Sequence, residues 1–245
     1  MEINIEADLH IHTIASGHGY STVMEIVHSA AEKGLKAIAI TDHGPAMPGG
    51  PHRYYFGNLN ALPEKEENVE ILRGVEANIM DKDGELDLPG EYLQELDIVW
   101  AGLHTPCLIP GSRSANTEAL LNALENPYVD GVVHPGNPDF PIEEEIVVKK
   151  AMEKRKLLEI NNSSFVVRRG SKTRCLEIAK LIHRYEGFVA LNSDAHISFD
   201  VGKEETAIQV ALEAGIFPEQ IVNTDVALIK SFLKKRGKKR FLKDD

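Results

Sequence analysis

The sequence predicts an α/β fold with a parallel sheet, either doubly wound or closed into a barrel. Three observations carry this. Short apolar runs alternate with segments of helical periodicity, and nearly every apolar run ends on a histidine or an acid. No linker rich in Ser, Gly or Pro, no low-complexity tract and no clear repeat divides the 245 residues. Strands alternating with helices imply parallel pairing through right-handed crossovers. Seven strands are read, so a barrel would be an incomplete or distorted version of the eight-stranded one, whose active site lies at the C-terminal strand ends.

The first strand is read at residues 3–8, from the alternation Ile3-Asn4-Ile5-Glu6. A helix over 22–33 follows, with Ser21 or Thr22 as cap, Glu25 in its first turn and Gly34 closing it. Strands are expected at 37–41, 69–76, 98–103, 129–133, 157–160 and 189–192. Between them lie a short helix near 59–64, a small hairpin around Asp83-Gly84, and helices over 117–126, 142–154 and 173–185. Two more helices, near 204–214 and 225–235, precede a basic tail. The Gly- and Pro-rich loop 44–55 is read as a lid or as an ordinary long connection.

A formal charge of −11 argues against a nucleic-acid groove and against an anionic membrane surface. Two cysteines far apart, Cys107 and Cys175, form no disulfide framework and are read as free thiols, which makes a reduced cytoplasm the expected compartment. Residues 1–6 carry no signal-peptide pattern, and no apolar run approaches the roughly 20 residues of a membrane span.

The chemistry gathers at the strand ends. Asp8-Leu9-His10-Ile11-His12 follows the first strand, and residues two apart on a strand share a face. His18 lies just beyond, Asp42 and His43 follow the second strand, and Glu76, His104 and His134 end the next three. Asp194 and His196 follow the last. In a closed parallel barrel, seven of the ten histidines would meet at one mouth with several carboxylates. Imidazole and carboxylate donors without thiolates suit zinc, manganese or iron, and groups crowded in this way would repel or titrate unless cations lay between them. Glu76 can bridge two ions, and Asp194 can join His10 and His12 on one. Neighbouring ions that ionise a bridging water are well suited to attack at phosphorus. No nucleophile elbow or reactive-Cys motif offers an alternative nucleophile.

Taken in order, Asp8-Leu9-His10-Ile11-His12, Thr41-Asp42-His43, Gly74-Val75-Glu76, His104, His134 and Asn192-Ser193-Asp194-Ala195-His196 resemble the polymerase and histidinol phosphatase (PHP) superfamily, and within it the YcdX-type phosphatase group. The resemblance covers roughly residues 3–203. It implies a distorted seven-stranded (β/α) barrel, similar to a TIM barrel, holding three divalent ions, usually zinc, with phosphoesterase activity. Carried over by position, it implies one ion on His10, His12, Glu76 and Asp194, a second on His18, His43 and His196, and a third on Glu76, His104 and His134. One catalytic domain over 1–245 is expected, with the barrel at about 3–203, C-terminal helices over 204–236 and a solvated basic tail over 237–245.

The expected activity is hydrolysis of a small phosphomonoester by a metal-bridging hydroxide, with Asp194 or a metal-bound water protonating the leaving group. Arg168 and Arg169, with Lys172 and Arg174 nearby, are candidates for the substrate phosphate or an ordinary basic loop. Asp8 and Asp42 are expected to fix histidine tautomers or to cap strand ends. His28 and His183 are read as surface or packing residues, and His52 as a solvent or substrate-edge residue. The rivals are a histidinol phosphatase, a PHP-type nucleotide exonuclease, which the acidic charge disfavours, and a metal-binding or sensing domain without turnover.

Overall fold

The computed structural model describes residues 3–242, so Met1, Glu2 and the end of the basic tail, 243–245, lie outside it. The elements run β1 (Ala7–Ile11), α1 (Val23–Glu32), β2 (Ala37–Ile40), α2 (Arg53–Gly57), β3 (Lys65–Glu66), β4 (Val69–Asn78), α3 (Gly90–Leu93), β5 (Ile98–Gly102), α4 (Arg113–Glu125), β6 (Gly131–Val132), α5 (Glu144–Glu153), β7 (Leu157–Asn161), α6 (Ser164–Val167), α7 (Ser171–Arg184), β8 (Val189–Asn192), α8 (Glu205–Glu213) and α9 (Val226–Lys235). Seven strands pair in parallel in the order β1-β2-β4-β5-β6-β7-β8, and β3 adds a short antiparallel arm to β4. This is a nearly closed α/β barrel.

The local chemistry explains most boundaries. Thr22 caps α1 with Glu25 in a reciprocal capping box. Ser112 caps α4, which therefore begins four residues before the expected 117. The first strand is displaced more: it spans Ala7–Ile11, not 3–8. Glu6 N–H donates to the carbonyl of Asn223 (2.9 Å), and its own carbonyl accepts from Lys36 N–H (2.7 Å) and Ala37 N–H (3.3 Å) at the entry of β2, so the ladder begins only at Ala7. His10 consequently lies inside β1 and His12 one residue past it.

β1 and β8 close the barrel through side chains. Leu9 N–H donates to Asn192 Oδ1 (3.1 Å), and Asn223 Nδ2 donates to the carbonyls of Ala7 (2.9 Å) and Leu191 (2.5 Å). Asn223 Oδ1 accepts from Leu191 N–H (3.1 Å), and His12 N–H reaches Ala195 O (2.8 Å). Trp100 crosses the interior to donate from Nε1 to Leu9 O (2.7 Å). The seam is the distortion: backbone groups that would form a ladder are satisfied one by one.

Leu9, Leu72, Ile98, Trp100 and Leu157 fill the barrel, and Val222, Ile229, Leu233 and Phe241 plug its lower end. Over its described residues, the basic tail is thus not the solvated segment expected from composition. Lys238 is buried against Asp130 (2.5 Å), Arg236 reaches Asp130 (3.3 Å), and Arg240 pairs with Asp97 (3.0 Å). Buried acids at the N-terminal strand ends need cations, and the tail supplies them. Cys107 and Cys175 are unbridged, and among the described residues no helix is long and apolar enough to cross a membrane.

Candidate metal centre

At the opposite, C-terminal end of the strands, nine side chains converge. Glu76 lies at their centre. Its Oε1 is 2.9 Å from His104 Nε2 and 2.8 Å from His134 Nε2. Its Oε2 is 2.7 Å from His43 Nδ1, 3.3 Å from His12 Nε2 and 3.4 Å from His10 Nε2. Asp194 Oδ1 lies 3.2 Å from His12 Nε2 and 3.6 Å from His10 Nε2. The ring of His196 stacks on that of His12 at 4.2 Å, and the exposed His18 stacks on His43 at 5.0 Å and on His196 at 4.8 Å. The donor atoms of His12, His43 and His196, of His10, His12 and Glu76, and of His43, Glu76 and His104 each lie within 4.8 Å of one another.

Four of the rings have a tautomer set by their surroundings. A carboxylate only accepts, so His10 Nδ1–H donates to Glu159 Oε1 (2.7 Å). Ser16 Oγ–H donates to Asp42 Oδ1 (2.6 Å) and therefore accepts from His12 Nδ1–H (3.0 Å). Asn78 Nδ2 is committed to Asp87 Oδ2 (2.5 Å), which turns Asn78 Oδ1 to accept from His104 Nδ1–H (2.7 Å). His196 Nδ1–H donates to the carbonyl of Asp194 (3.0 Å). Each arrangement leaves a lone pair on Nε2.

These lone pairs face other acceptors. His10 Nε2 and His12 Nε2 are 3.0 Å apart, and His104 Nε2 is 3.2 Å from His134 Nε2. His43 Nδ1 and Glu76 Oε2, 2.7 Å apart but out of line, are both buried without a hydrogen-bond partner. Only a cation resolves such contacts. Protons are one answer: burial opposes charge on His10 and His12, but Glu159, Asp194 and Glu76 outweigh it, holding His10 well above its ordinary value and His12 at about 9. A divalent ion is the other, and the donors fit it. Burial also pushes His43 down to about 3, and His134 and His196 to about 4, so these rings are neutral, as ligands must be.

Backbone strain serves the same end. His134 (φ 33°) and Asp194 (φ 57°) are non-glycine residues in the left-handed region. Glu159 Oε2 holds His134 N–H (2.8 Å), and Asn161 Nδ2 holds Asp194 Oδ2 (3.1 Å). Gly102, at the end of β5, makes room: a methyl there would lie 2.7 Å from His104 Cε1 and 3.0 Å from Glu76 Oε1.

A family model described as "PHP domain" matches residues 8–215. The chain belongs to the PHP domain family. Proteins named "Probable phosphatase" resemble it along almost their whole length. The one from Thermoanaerobacter pseudethanolicus is 53% identical over 234 residues, covering 95% of this chain and 96% of that protein. The one from Caldanaerobacter subterraneus subsp. tengcongensis is 52% identical over 241 residues, covering 98% and 95%. Among solved structures, the histidinol phosphate phosphatase of Lactococcus lactis, complexed with zinc, L-histidinol and phosphate, superposes with a TM-score of 0.63 at 20% identity, covering 86% of this chain and 94% of that one. An archaeal ribonuclease P structure with mature tRNA contains a chain with a TM-score of 0.58 at 14% identity, covering 97% and 94%. Both share the fold.

Within this PHP domain, some expectations hold and others change. Asp8 touches no imidazole; its carboxylate accepts from Ser193 and from Gly202 N–H (3.0 Å), which ties the strand ends together. Asp42 acts on His12 only through Ser16 and also receives the hydroxyl of Tyr55 (2.6 Å). Burial raises the carboxyl of Asp194, but His10, His12 and His196 outweigh burial and hold it well below the carboxylate range. Arg168 reaches the cluster, 3.7 Å from Asp194 Oδ2, whereas Arg169 is exposed with no contact to the cluster and Arg174 turns to Glu144 (3.3 Å). Loop 44–55 is pinned by Gly44 N–H to Glu76 O (2.9 Å) and Ala46 N–H to Asp87 Oδ2 (2.9 Å). His28 lies on the surface beside Glu67, His183 packs on Phe217, and His52 caps α2. Glu159, Ser16 and Asn78 were not expected. Glu159 left a trace, being the one charged residue in the buried run Leu157-Leu158-Glu159-Ile160-Asn161.

Proposed function

We propose that this PHP domain is a metal-dependent phosphatase acting on a small phosphomonoester. His10, His12, Glu76 and Asp194 hold one divalent ion, His18, His43 and His196 a second, and Glu76, His104 and His134 a third. The observation that carries the reading is the division of labour at Glu76, whose two oxygens face separate sets of histidines. When bound, the ions supply Lewis-acid stabilisation of phosphoryl oxygens and make an attacking water more acidic. Zinc fits the donors, and manganese or iron shares the preference for nitrogen and oxygen.

The chain's own residues do the rest. Glu159, Ser16 and Asn78 orient three rings, so the donors are in place before substrate arrives. Arg168, held by Ser164 Oγ (2.9 Å), presents a guanidinium beside the cluster to take the phosphoryl oxygens. The relatives named as probable phosphatases support the reaction class. The phosphate and L-histidinol in the Lactococcus lactis structure are consistent with a small phosphorylated alcohol.

The test is metal analysis of the purified protein beside hydrolysis of p-nitrophenyl phosphate. The expected result is about three ions per chain and hydrolysis that chelation abolishes and metal restores. Metal-loaded protein inert toward phosphomonoesters overturns the reading in favour of a binding or sensing domain.

A further inference from the structure

The six most exposed large hydrophobic side chains among the described residues are Tyr20, Tyr54, Ile109, Val166, Val167 and Phe199, each at least 65% exposed. All six stand on connections that leave the C-terminal strand ends, Tyr54 in the short α2 and Val166 and Val167 in the short α6, and each is close in the chain to residues of the cluster or bonded to them. Tyr20 N–H donates to His196 O (2.7 Å), and Phe199 lies three residues past His196. Tyr54 precedes Tyr55, whose hydroxyl meets Asp42. Ile109 follows Leu108, whose N–H donates to His104 O (2.9 Å). Val166 and Val167 end α6, immediately before Arg168.

Five separate connections contribute these residues, so no single amphipathic element accounts for them. Water-exposed apolar surface concentrated in one place marks a binding surface. Here the exposed apolar side chains leave the same strand ends that carry a site whose deepest part is polar and charged. We infer that the phosphomonoester carries an apolar leaving group, aryl or extended alkyl, which rests on a rim formed by these side chains while Arg168 and the cluster take the phosphoryl end. This rests on the phosphatase reading. The reaction balances as hydrolysis: water oxygen bonds to phosphorus, the P–O bond to the leaving alcohol breaks, and the two protons of water are shared between alcohol and phosphate.

The test uses the metal-loaded full chain and the primary alkyl phosphates from methyl to hexyl, whose leaving alcohols differ little in acidity. Each methylene that reaches the rim loses water, so kcat/KM is expected to rise about tenfold or more from methyl to hexyl phosphate. The exposed triple variant I109S/V166S/V167S, checked for folding by circular dichroism, is expected to flatten that rise. A hexyl-to-methyl ratio within about twofold, or a rise that survives both this variant and Y54S/F199S, overturns the inference and leaves the phosphatase reading standing. A rim that instead covers a second copy of the chain would give that flat ratio together with a concentration-dependent mass that the triple variant abolishes. Failure to hydrolyse any of these esters, or p-nitrophenyl phosphate, overturns both.

Discussion

Glu159 Oε1 lies 2.7 Å from His10 Nδ1, and Glu159 Oε2 lies 2.8 Å from the His134 backbone nitrogen. One buried carboxylate therefore sets the tautomer of a ring on β1 and the strained backbone of a residue after β6. Its remaining partners, Asn192 Nδ2 (2.8 Å) and Asn161 Nδ2 (3.1 Å), are donors as well. Glu159→Gln would turn an amide NH₂ toward at least one of these donors. Metal affinity is expected to fall about 10–100-fold, the usual cost of losing an outer partner of a ligand histidine. Competition with a chromogenic chelator checks it, and an affinity equal to that of the parent protein would remove Glu159 from this role.

Gly102→Ala tests the packing behind the ligands. The backbone there tolerates alanine, but the added methyl meets His104 and Glu76. Since displacement of about 1 Å near reacting groups can cost about 10²-fold, kcat is expected to drop by that order, and overpacking against His104 and Val133 lowers Tm by about 2–10 °C. An active, stable variant would mean that His104 has room to move.

Chelation should act on stability as well as on activity. Ions that bind the folded chain at about 100 times their Kd contribute about 2.7 kcal/mol each. At about 2–4 °C per kcal/mol for a chain of this size, EDTA should lower Tm by about 5–10 °C for each such ion removed. Differential scanning calorimetry with and without added zinc or manganese measures this, and a Tm indifferent to EDTA would contradict the metal centre.

The convergence of these nine side chains was legible because each lies near or beyond the C-terminal end of a strand whose apolar run is plain, and a parallel barrel brings strand ends together without any knowledge of loops. It was less informative wherever a role depends on a partner distant in the chain. Glu159 reads as a misplaced acid until His10, 149 residues away, is seen beside it. The tail reads as solvated until Asp130 and Asp97 appear beneath it. Arg168 and Arg169 are indistinguishable by type, and only the short α6 decides which one faces inward. The start of β1 is not legible because the alternation at 3–6 is that of a strand, while Glu6 N–H turns to Asn223.

Glu204 gives a pH prediction outside the cluster. It is buried at the start of α8, and its Oε1 has no hydrogen-bond partner. Burial, with the charges of Asp8 and Glu205, pushes its carboxyl from 4.5 up to about 9. The folded chain thus keeps a proton that the unfolded chain releases, and stability falls as pH rises from 4.5 toward 9. Glu204→Gln removes that dependence. The variant should match the parent near pH 5 and exceed it by at least about 1 kcal/mol near pH 8, a modest fraction of the shift at 1.36 kcal/mol per unit. Urea denaturation across pH decides it, and parallel curves would count against a buried neutral Glu204.

The barrel seam makes the last prediction. Asn223 is fully buried, and its amide satisfies two carbonyls and one N–H of β1 and β8 that no ladder serves. Asn223→Ala leaves these groups unpaired, at about 1–3 kcal/mol each, so a loss of about 3 kcal/mol or more is expected. Asn223→Asp keeps the shape but turns an oxygen toward the carbonyls of Ala7 and Leu191, and should destabilise more than alanine at neutral pH. Activity should fall further than stability alone explains, even well below the melting temperature. The seam holds His10 and His12 of the β1 segment beside Asp194, which follows β8, and loosening it separates the proposed ligands of one ion. Metal content measured at 10 °C on fully folded variant reads that separation. Full occupancy in a destabilised Asn223→Ala protein would confine Asn223 to the fold.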